Sequence, residues 1–250
     1  MVIWLQIIVG LVMASMAENS IGSSGKDWSG PHQDMMRAIH ADVARNRQVL
    51  GRDHLSESVT LAMAKVPRHE FVPQELRKNA YANHPLPIGH GQTISQPTIV
   101  ALMTDLLALE PEDNVLEVGT GSGYQAAVLS EVVTGGTVFT IEIVADLART
   151  ARKRLASLGY QNVVVHTGDG YLGLPDDAPF DGIMVTAAAA EIPAPLLEQL
   201  KPGGYLVMPV GGQGETQWLT LVGKDLEGKI NRRVVLPVRF VPLTGDHTKQ

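Results

Sequence analysis

Ten residues constrain this chain more than any other stretch: Val115-Leu116-Glu117-Val118-Gly119-Thr120-Gly121-Ser122-Gly123-Tyr124. An apolar run with the character of a buried strand breaks into three glycines at alternate positions. The pattern then turns helical over 124–133. A strand–glycine turn–helix corner of this kind puts backbone N–H groups and the positive end of a helix dipole at one spot. Glycine allows the tight turn and lets a ligand lie against bare backbone. Downstream, Thr137-Val138-Phe139-Thr140-Ile141 forms a second strand ending in Glu142. An acid at the tip of the strand after a glycine turn can hold a ribose through its hydroxyls. Together the two signals imply a nucleoside-containing cofactor.

From residue 98 onward the pattern alternates. Helices are expected over 98–109, 123–133, 144–158 and 194–200. Strands are expected over 114–118, 138–143, 163–167, 181–185, 204–210, 217–224 and 233–242. Such alternation predicts an α/β fold: a Rossmann-like, doubly wound, mostly parallel sheet with right-handed crossovers. The last two strands flank a Gly-containing turn, which predicts an antiparallel C-terminal edge. Two amphipathic helices, over 32–50 and 56–64, form an N-terminal helical segment, the first with Met36, Ile39, Val43 and Leu50 on its apolar face. The stretch 68–97 is dense in Pro, Gly and His without a clean period, and it carries Phe71, Tyr81, Leu86 and Ile88. Long irregular segments of this kind inside a domain are commonly functional.

With 250 residues and 44% hydrophobic content, the chain can bury one sizeable core. Its net charge is −6, and only Arg152-Lys153-Arg154 and Arg232-Arg233 cluster, so no nucleic-acid partner is expected. Cysteine is absent, which excludes disulfides, thiolate nucleophiles and Cys-type metal sites. Residues 1–17 carry no charged side chain and are largely apolar; 18–30 are rich in Ser, Gly and Asn. Three readings stay open for this leader: a signal peptide cleaved after Ser15-Met16-Ala17, a short anchor, or an upstream mis-start with the working chain beginning at Met35 or Met36. No Lys or Arg precedes the apolar run, and its length is at the short end of the roughly 17–25 residues that span a bilayer. The expected organisation is a leader and disordered linker over 1–30 and one domain over 31–250, with 68–97 as its substrate-binding segment.

A dinucleotide fingerprint asks for G-x-G-x-x-G. Here Gly119, Gly121 and Gly123 give G-x-G-x-G instead. Glu117, in the strand before the turn, can face a cationic amino acid moiety. In Gly168-Asp169-Gly170, Asp169 can accept from an adenine amino group; the plainer alternatives are a turn cap for Asp169 and a surface charge for Glu117. Leu200-Lys201-Pro202-Gly203-Gly204 reads as a structural turn into a late strand. This set resembles the Rossmann-like S-adenosylmethionine-dependent methyltransferases. The resemblance assigns Gly119, Gly121 and Gly123 to the methionine end, Glu142 to the ribose and Asp169 to the adenine, counts Gly170 among the cofactor-binding residues, and implies S-adenosyl-L-methionine as cofactor.

Two further strings narrow the substrate: Pro67-Arg68-His69-Glu70-Phe71-Val72-Pro73, and the run from Tyr81 that ends Gly91-Gln92-Thr93-Ile94-Ser95-Gln96-Pro97. With Thr186-Ala187-Ala188 and Arg239-Phe240-Val241-Pro242-Leu243, they are similar to the protein-L-isoaspartate O-methyltransferase family over residues 36–244. Membership implies methylation of the free carboxylate of L-isoaspartyl residues in damaged proteins, repaired onward through a succinimide. It also implies a cytoplasmic monomer and no metal. Ser95 becomes the residue that holds the substrate carboxylate, with the backbone of Thr93 and Ile94 pairing with the substrate peptide. Without the resemblance, Ser95 reads as a cap for the following helix. Thr98 departs from the family, whose bacterial members often carry an aromatic there, and altered substrate contact is expected. His84 and His90 lie in the substrate segment but resemble no metal motif, and His69, followed by Phe71, reads as part of a packing element. The competing functions are a methyltransferase of the same fold for a small molecule or RNA, an NAD-dependent oxidoreductase, and a cofactor-binding protein without catalysis. The first would show a basic face or an Asn/Asp-Pro-Pro-aromatic motif where this chain has Val185-Thr186-Ala187.

Overall fold

A computed structural model of the protein describes residues 27–212 and 214–245. The leader and linker expected over 1–30 therefore lie, apart from 27–30, outside the described residues. Helix α1 (Ser29–Arg45) buries Met35, Ile39 and Val43, four residues apart on one stripe. Met36, expected on that stripe, is only half-buried because it sits one position round the helix. The expected single helix breaks at Asn46 and resumes as the short α2 (Arg47–Leu50). Asn46 turns its own amide onto Asp42 O at 2.8 Å, a local bond that competes with continuing the helix. Helix α3 (Glu57–Lys65) starts where Ser56 accepts from Val59 N, an N-cap. Trp28, placed by sequence in the linker, stacks on His69 with ring centroids 4.8 Å apart.

The irregular stretch resolves into two short 3-10 turns, Arg68–Phe71 and Gln74–Asn79, and a hairpin of β1 (Leu86–Gly89) with β2 (Gln92–Ile94). Pro97 then opens α4 (Pro97–Leu106), where its missing N–H costs nothing. The Rossmann-like part follows as β3 (Val115–Val118), α5 (Tyr124–Val132), β4 (Val138–Glu142), α6 (Ala145–Ser157), β5 (Val163–Thr167) and β6 (Phe180–Val185). It closes with α7 (Ala194–Gln199), β7 (Leu200–Val210), β8 (Gln217–Lys224) and β9 (Ile230–Val238). The sheet order is β5-β4-β3-β6-β7-β8-β9; the first five strands are parallel, and β8 and β9 each join antiparallel. The expected turn at 200–204 is instead an irregularity inside β7: the register opposite slips between Phe180 and Gly182.

All four residues of β3 are buried, as a central parallel strand covered on both faces requires. Leu116 and Val118 join the apolar cluster built with Phe180, Ile183, Leu196 and Leu206. Val115 belongs to the opposite cluster, with α1, α3, α4 and α5. Alternation along the strand puts Glu117 on that second face. Each fully buried Leu or Phe in these clusters contributes roughly 1.5–3 kcal/mol. Among the described residues no helix is long and apolar enough to cross a membrane.

Candidate active site

The corner after β3 is built tightly. Gly119 adopts φ +99, and a Cβ there would fall inside 3.0 Å of Thr186 Oγ1. Thr186, directly after β6, donates to Gly119 O at 2.7 Å and to Val118 O at 3.0 Å, clamping the turn from the neighbouring strand. The glycine N–H groups are engaged, contrary to the open cradle expected from the sequence. Gly119 N donates to Ile141 O at 2.8 Å and Gly123 N to Thr120 O at 2.8 Å. Gly121 N donates to Glu142 Oε2, also at 2.8 Å. The other Glu142 oxygen accepts from Val144 N at 2.9 Å. A carboxylate has about four lone-pair sites, so Glu142 keeps acceptor capacity for a ribose diol after both bonds.

Glu117 is fully buried, which overturns the surface-charge alternative. The β3–β4 register sets it beside Thr140, whose hydroxyl donates to Oε2 at 2.5 Å. Because that proton is committed, Thr120 Oγ1 is the donor in its 2.6 Å bond to Thr140. Oε1 is buried and makes no hydrogen bond. Loss of solvation pushes the Glu117 carboxyl up to about 8, the Glu142 charge adding to the rise and the Thr140 bond opposing it. A buried carboxyl oxygen without a donor fits a cationic ligand group.

Ser95 follows β2, and its hydroxyl makes no hydrogen bond among the described residues. The capping alternative is not realised, since Gln96 is the cap position of α4 and no side chain bonds there. Ser95, Ile94 and Thr93 line one cleft together with Glu117, Gly121 and Thr186. Thr93, Gly119, Gly121 and Thr186 also line a second cleft, which Glu142 and Gly170 complete. Most of the sequence-selected residues for cofactor and substrate thus share two adjoining clefts; Gly123 lines neither, because it faces Leu155 and Ala151 of α6. Asp169 stands slightly apart. Its Oδ1 accepts from Tyr171 N at 2.9 Å, capping the 3-10 turn Gly170–Leu172, and Gly245 packs against its carboxylate. The turn-cap alternative is therefore present in the structure, and the following Gly170 is what lines the cleft.

Thr186-Ala187-Ala188 and the C-terminal string, some fifty positions apart, meet here. Ala188 N donates to Val241 O at 2.8 Å and Leu243 N to Ala188 O at 2.7 Å. That segment walls the cleft of Glu142 and Gly170 on one side and a larger open cleft of about 890 Å³ on the other, with Pro242 and Leu243 common to both. Thr98 faces away from these clefts. Its hydroxyl donates to Asp42 at 2.9 Å and to Asn83 at 3.0 Å, and Asn83 Nδ2 donates to the same Asp42 oxygen at 2.7 Å. The substrate contact expected at Thr98 is thus replaced by a buried polar brace between α1 and α4. Of the histidines, His69 packs as expected: Trp28 stacks on its ring, and Nδ1 lies 2.7 Å from the Tyr81 hydroxyl. Sequence reasoning gave no role to Thr140 or Arg68. Thr140 needed the cross-strand register. Arg68 carried one signal, a cation inside an otherwise packing-type string.

Known proteins share this fold and much of this sequence. The family model described as protein-L-isoaspartate(D-aspartate) O-methyltransferase matches residues 43–248. The chain is 54% identical over 240 residues to protein-L-isoaspartate O-methyltransferase 2 of Syntrophobacter fumaroxidans, covering 96% of each chain. It is 55% identical to protein-L-isoaspartate O-methyltransferase 1 of Cupriavidus necator, covering 86% of this chain and 82% of that one. A solved protein-L-isoaspartate O-methyltransferase superposes with a TM-score of 0.74 at 29% identity, over 86% of this chain and 66% of that chain.

Proposed function

This chain belongs to the protein-L-isoaspartate(D-aspartate) O-methyltransferase family, and we propose that it methylates the free carboxylate of L-isoaspartyl residues in damaged proteins and peptides, with its own residues dividing the work as follows. The observation that carries the proposal is the acidic, donor-poor floor of the corner. A pyrophosphate would need the glycine N–H groups, which are already bonded, and would face two glutamates. A positively charged sulfonium compound suits the same floor. Bound there, S-adenosyl-L-methionine supplies an activated methyl group. Glu117 faces the cationic amino acid end, the corner at Gly119, Gly121 and Gly123 gives close backbone approach, and Glu142 accepts from the ribose hydroxyls. Gly170, which packs too closely on Val118 to carry a side chain, lines the adenine side of the cleft, and Asp169 orders the turn beside it.

Ser95 donates one hydrogen bond to the isoaspartyl carboxylate. A neutral donor orients the carboxylate without tying up its charge as Arg or Lys would, so the nucleophile keeps its reactivity. No general base is needed, because the carboxylate is already ionised at neutral pH. What the protein contributes is in-line placement. The backbone of Thr93 and Ile94 pairs with the substrate main chain, a mode that tolerates many sequences. After release, the backbone nitrogen of the next residue attacks the methyl ester. Methanol leaves, and the succinimide formed opens by hydrolysis to aspartate or isoaspartate. We place the enzyme in the cytoplasm as a monomer, where its methyl donor is made; a mature N-terminus near Glu18 by mass spectrometry would overturn that location.

The test is methyl transfer from labelled S-adenosylmethionine to paired peptides differing only in L-isoaspartate or L-aspartate. Base-labile label on the isoaspartyl peptide alone is expected; label on neither, with cofactor bound, refutes the substrate class. Ser95→Ala is expected to lower turnover with cofactor affinity kept, and Glu142→Ala to weaken cofactor first. The reverse pattern overturns both roles.

A further inference from the structure

Arg68 is fully buried in the 3-10 turn Arg68–Phe71, and no carboxylate pairs with it among the described residues. Its Nε donates to Ala80 O at 2.8 Å and its Nη2 to Ser95 O at 2.7 Å. Its guanidinium carbon lies 4.7 Å from the centroid of the Tyr124 ring, and Tyr124 is the first residue of the helix leaving the glycine corner. Phe71, in the same short turn as Arg68, meets that ring edge-on at 5.5 Å. One side chain thus ties three places: the end of the second 3-10 turn, the substrate strand, and the cofactor corner. Burial without a counter-ion is expensive, and a methionine or leucine of similar volume would fill the space without that cost. The charge is retained where its planar fork meets two carbonyls and an aromatic face at once, a job that Lys does not do.

We propose that Arg68 is a positioning residue for methyl transfer: it fixes the backbone of Ser95 at a set place relative to the cofactor corner while leaving the Ser95 hydroxyl to the substrate. This rests on the role proposed above for Ser95. The division of labour follows from which atoms are used. Arg68 takes the Ser95 carbonyl, so the residue cannot swing as a unit. The hydroxyl stays unbonded, ready for the isoaspartyl carboxylate. Tyr124, held under the guanidinium, gives the strand a reference on the cofactor side. A shift of the Ser95 backbone would misplace the carboxylate against the methyl group, and such misplacement acts on turnover more than on cofactor binding.

The experiment uses Arg68→Lys and Arg68→Met in the full chain, each with and without Ser95→Ala. Turnover is read on the L-isoaspartyl peptide, affinity for S-adenosylhomocysteine by calorimetry, and amide exchange of residues 91–97 by mass spectrometry. The expected loss of kcat is about 10- to 100-fold, the range a charged hydrogen bond supports, with the smaller loss for Lys. Cofactor affinity is expected to stay within about threefold, and exchange over 91–97 to speed at least about tenfold. In the Ser95→Ala background the further loss of kcat should shrink to under about threefold, because the hydroxyl being positioned is gone. Unchanged turnover overturns the proposal. So does an equal loss with and without Ser95, or a loss of cofactor affinity as large as the loss of turnover. Two variants that both fail to reach the wild-type far-UV spectrum also overturn it, because a residue that positions one strand leaves the fold standing. A wild-type enzyme inactive on the isoaspartyl peptide is a separate failure, of the substrate reading, and the exchange experiment still decides whether Arg68 holds the strand.

Discussion

If Glu117 faces the cationic end of the cofactor as proposed, binding should release a proton. Its carboxyl, raised to about 8 by burial in the free protein, is mostly protonated at neutral pH. At pH 7 roughly nine molecules in ten carry that proton. A cationic group brought against the unpartnered Oε1 favours the ionised form, so the proton leaves as the ligand enters. Below pH 8 each unit of acidification adds about 1.4 kcal/mol to the cost of ionising Glu117 and weakens binding about tenfold; above pH 8 the dependence flattens. Apparent cofactor affinity should be about 100-fold weaker at pH 6 than on the alkaline plateau. The same raised value makes Glu117 lower the stability of the free fold as pH rises from 4.5 to about 8, and cofactor should recover that loss. Calorimetry in two buffers of different ionisation enthalpy counts the protons. The difference between wild type and Glu117→Gln at pH 7 removes protons released by the ligand's own amine, and it should be about 0.9. A difference near zero, with both proteins binding cofactor, would refute the reasoning, because Glu117 would then be ionised before binding or remote from the charge.

Two other outcomes follow from the geometry. Gly119→Ala forces a Cβ onto Thr186 at φ +99 and disrupts the Thr186 bonds to Gly119 and Val118; it should destabilise by about 2–4 kcal/mol and lower cofactor affinity, read by thermal melts with and without ligand. Thr98→Val keeps the shape but removes the one hydroxyl proton shared between Asp42 Oδ2 and Asn83 Oδ1, leaving them with Asn83 Nδ2 and Thr98 N as donors; a loss of about 1–3 kcal/mol in urea unfolding is expected, with the isoaspartyl selectivity unchanged, and altered selectivity would restore a substrate-facing role for Thr98.

The parallel core was readable because β3, β4 and β6 are short apolar runs bounded by turns. The glycine corner announced itself through three glycines, and all three take positive φ. The occupancy of their N–H groups was not readable. Gly121 bonds to a carboxylate twenty-one positions away, and Gly119 to a neighbouring strand, so both partners depend on which strands lie side by side. Glu117 shows the same limit. Its position in the strand was plain, but its burial and its bond to Thr140 come from the β3–β4 register. The 68–97 segment hid its hairpin because β1 and β2 are only four and three residues long, below the length at which alternation shows. Asp169 carried two local meanings, turn cap and ligand, and local sequence does not separate them.

The hairpin rests directly on the corner: a Cβ on Gly121 would meet Ile88 Cδ1 at 3.3 Å. On the roles proposed above, methyl donor and acceptor are presented by two pieces of chain that share a wall, and neither can be rebuilt alone. A designer redirecting this enzyme to a new acceptor should leave Ile88 and the inner face of the hairpin as they are. Diversity belongs on the outward side of the hairpin, where Pro87 is exposed and lines neither cleft. Library members that change the inner face should lose donor handling together with acceptor choice, whatever the new acceptor is.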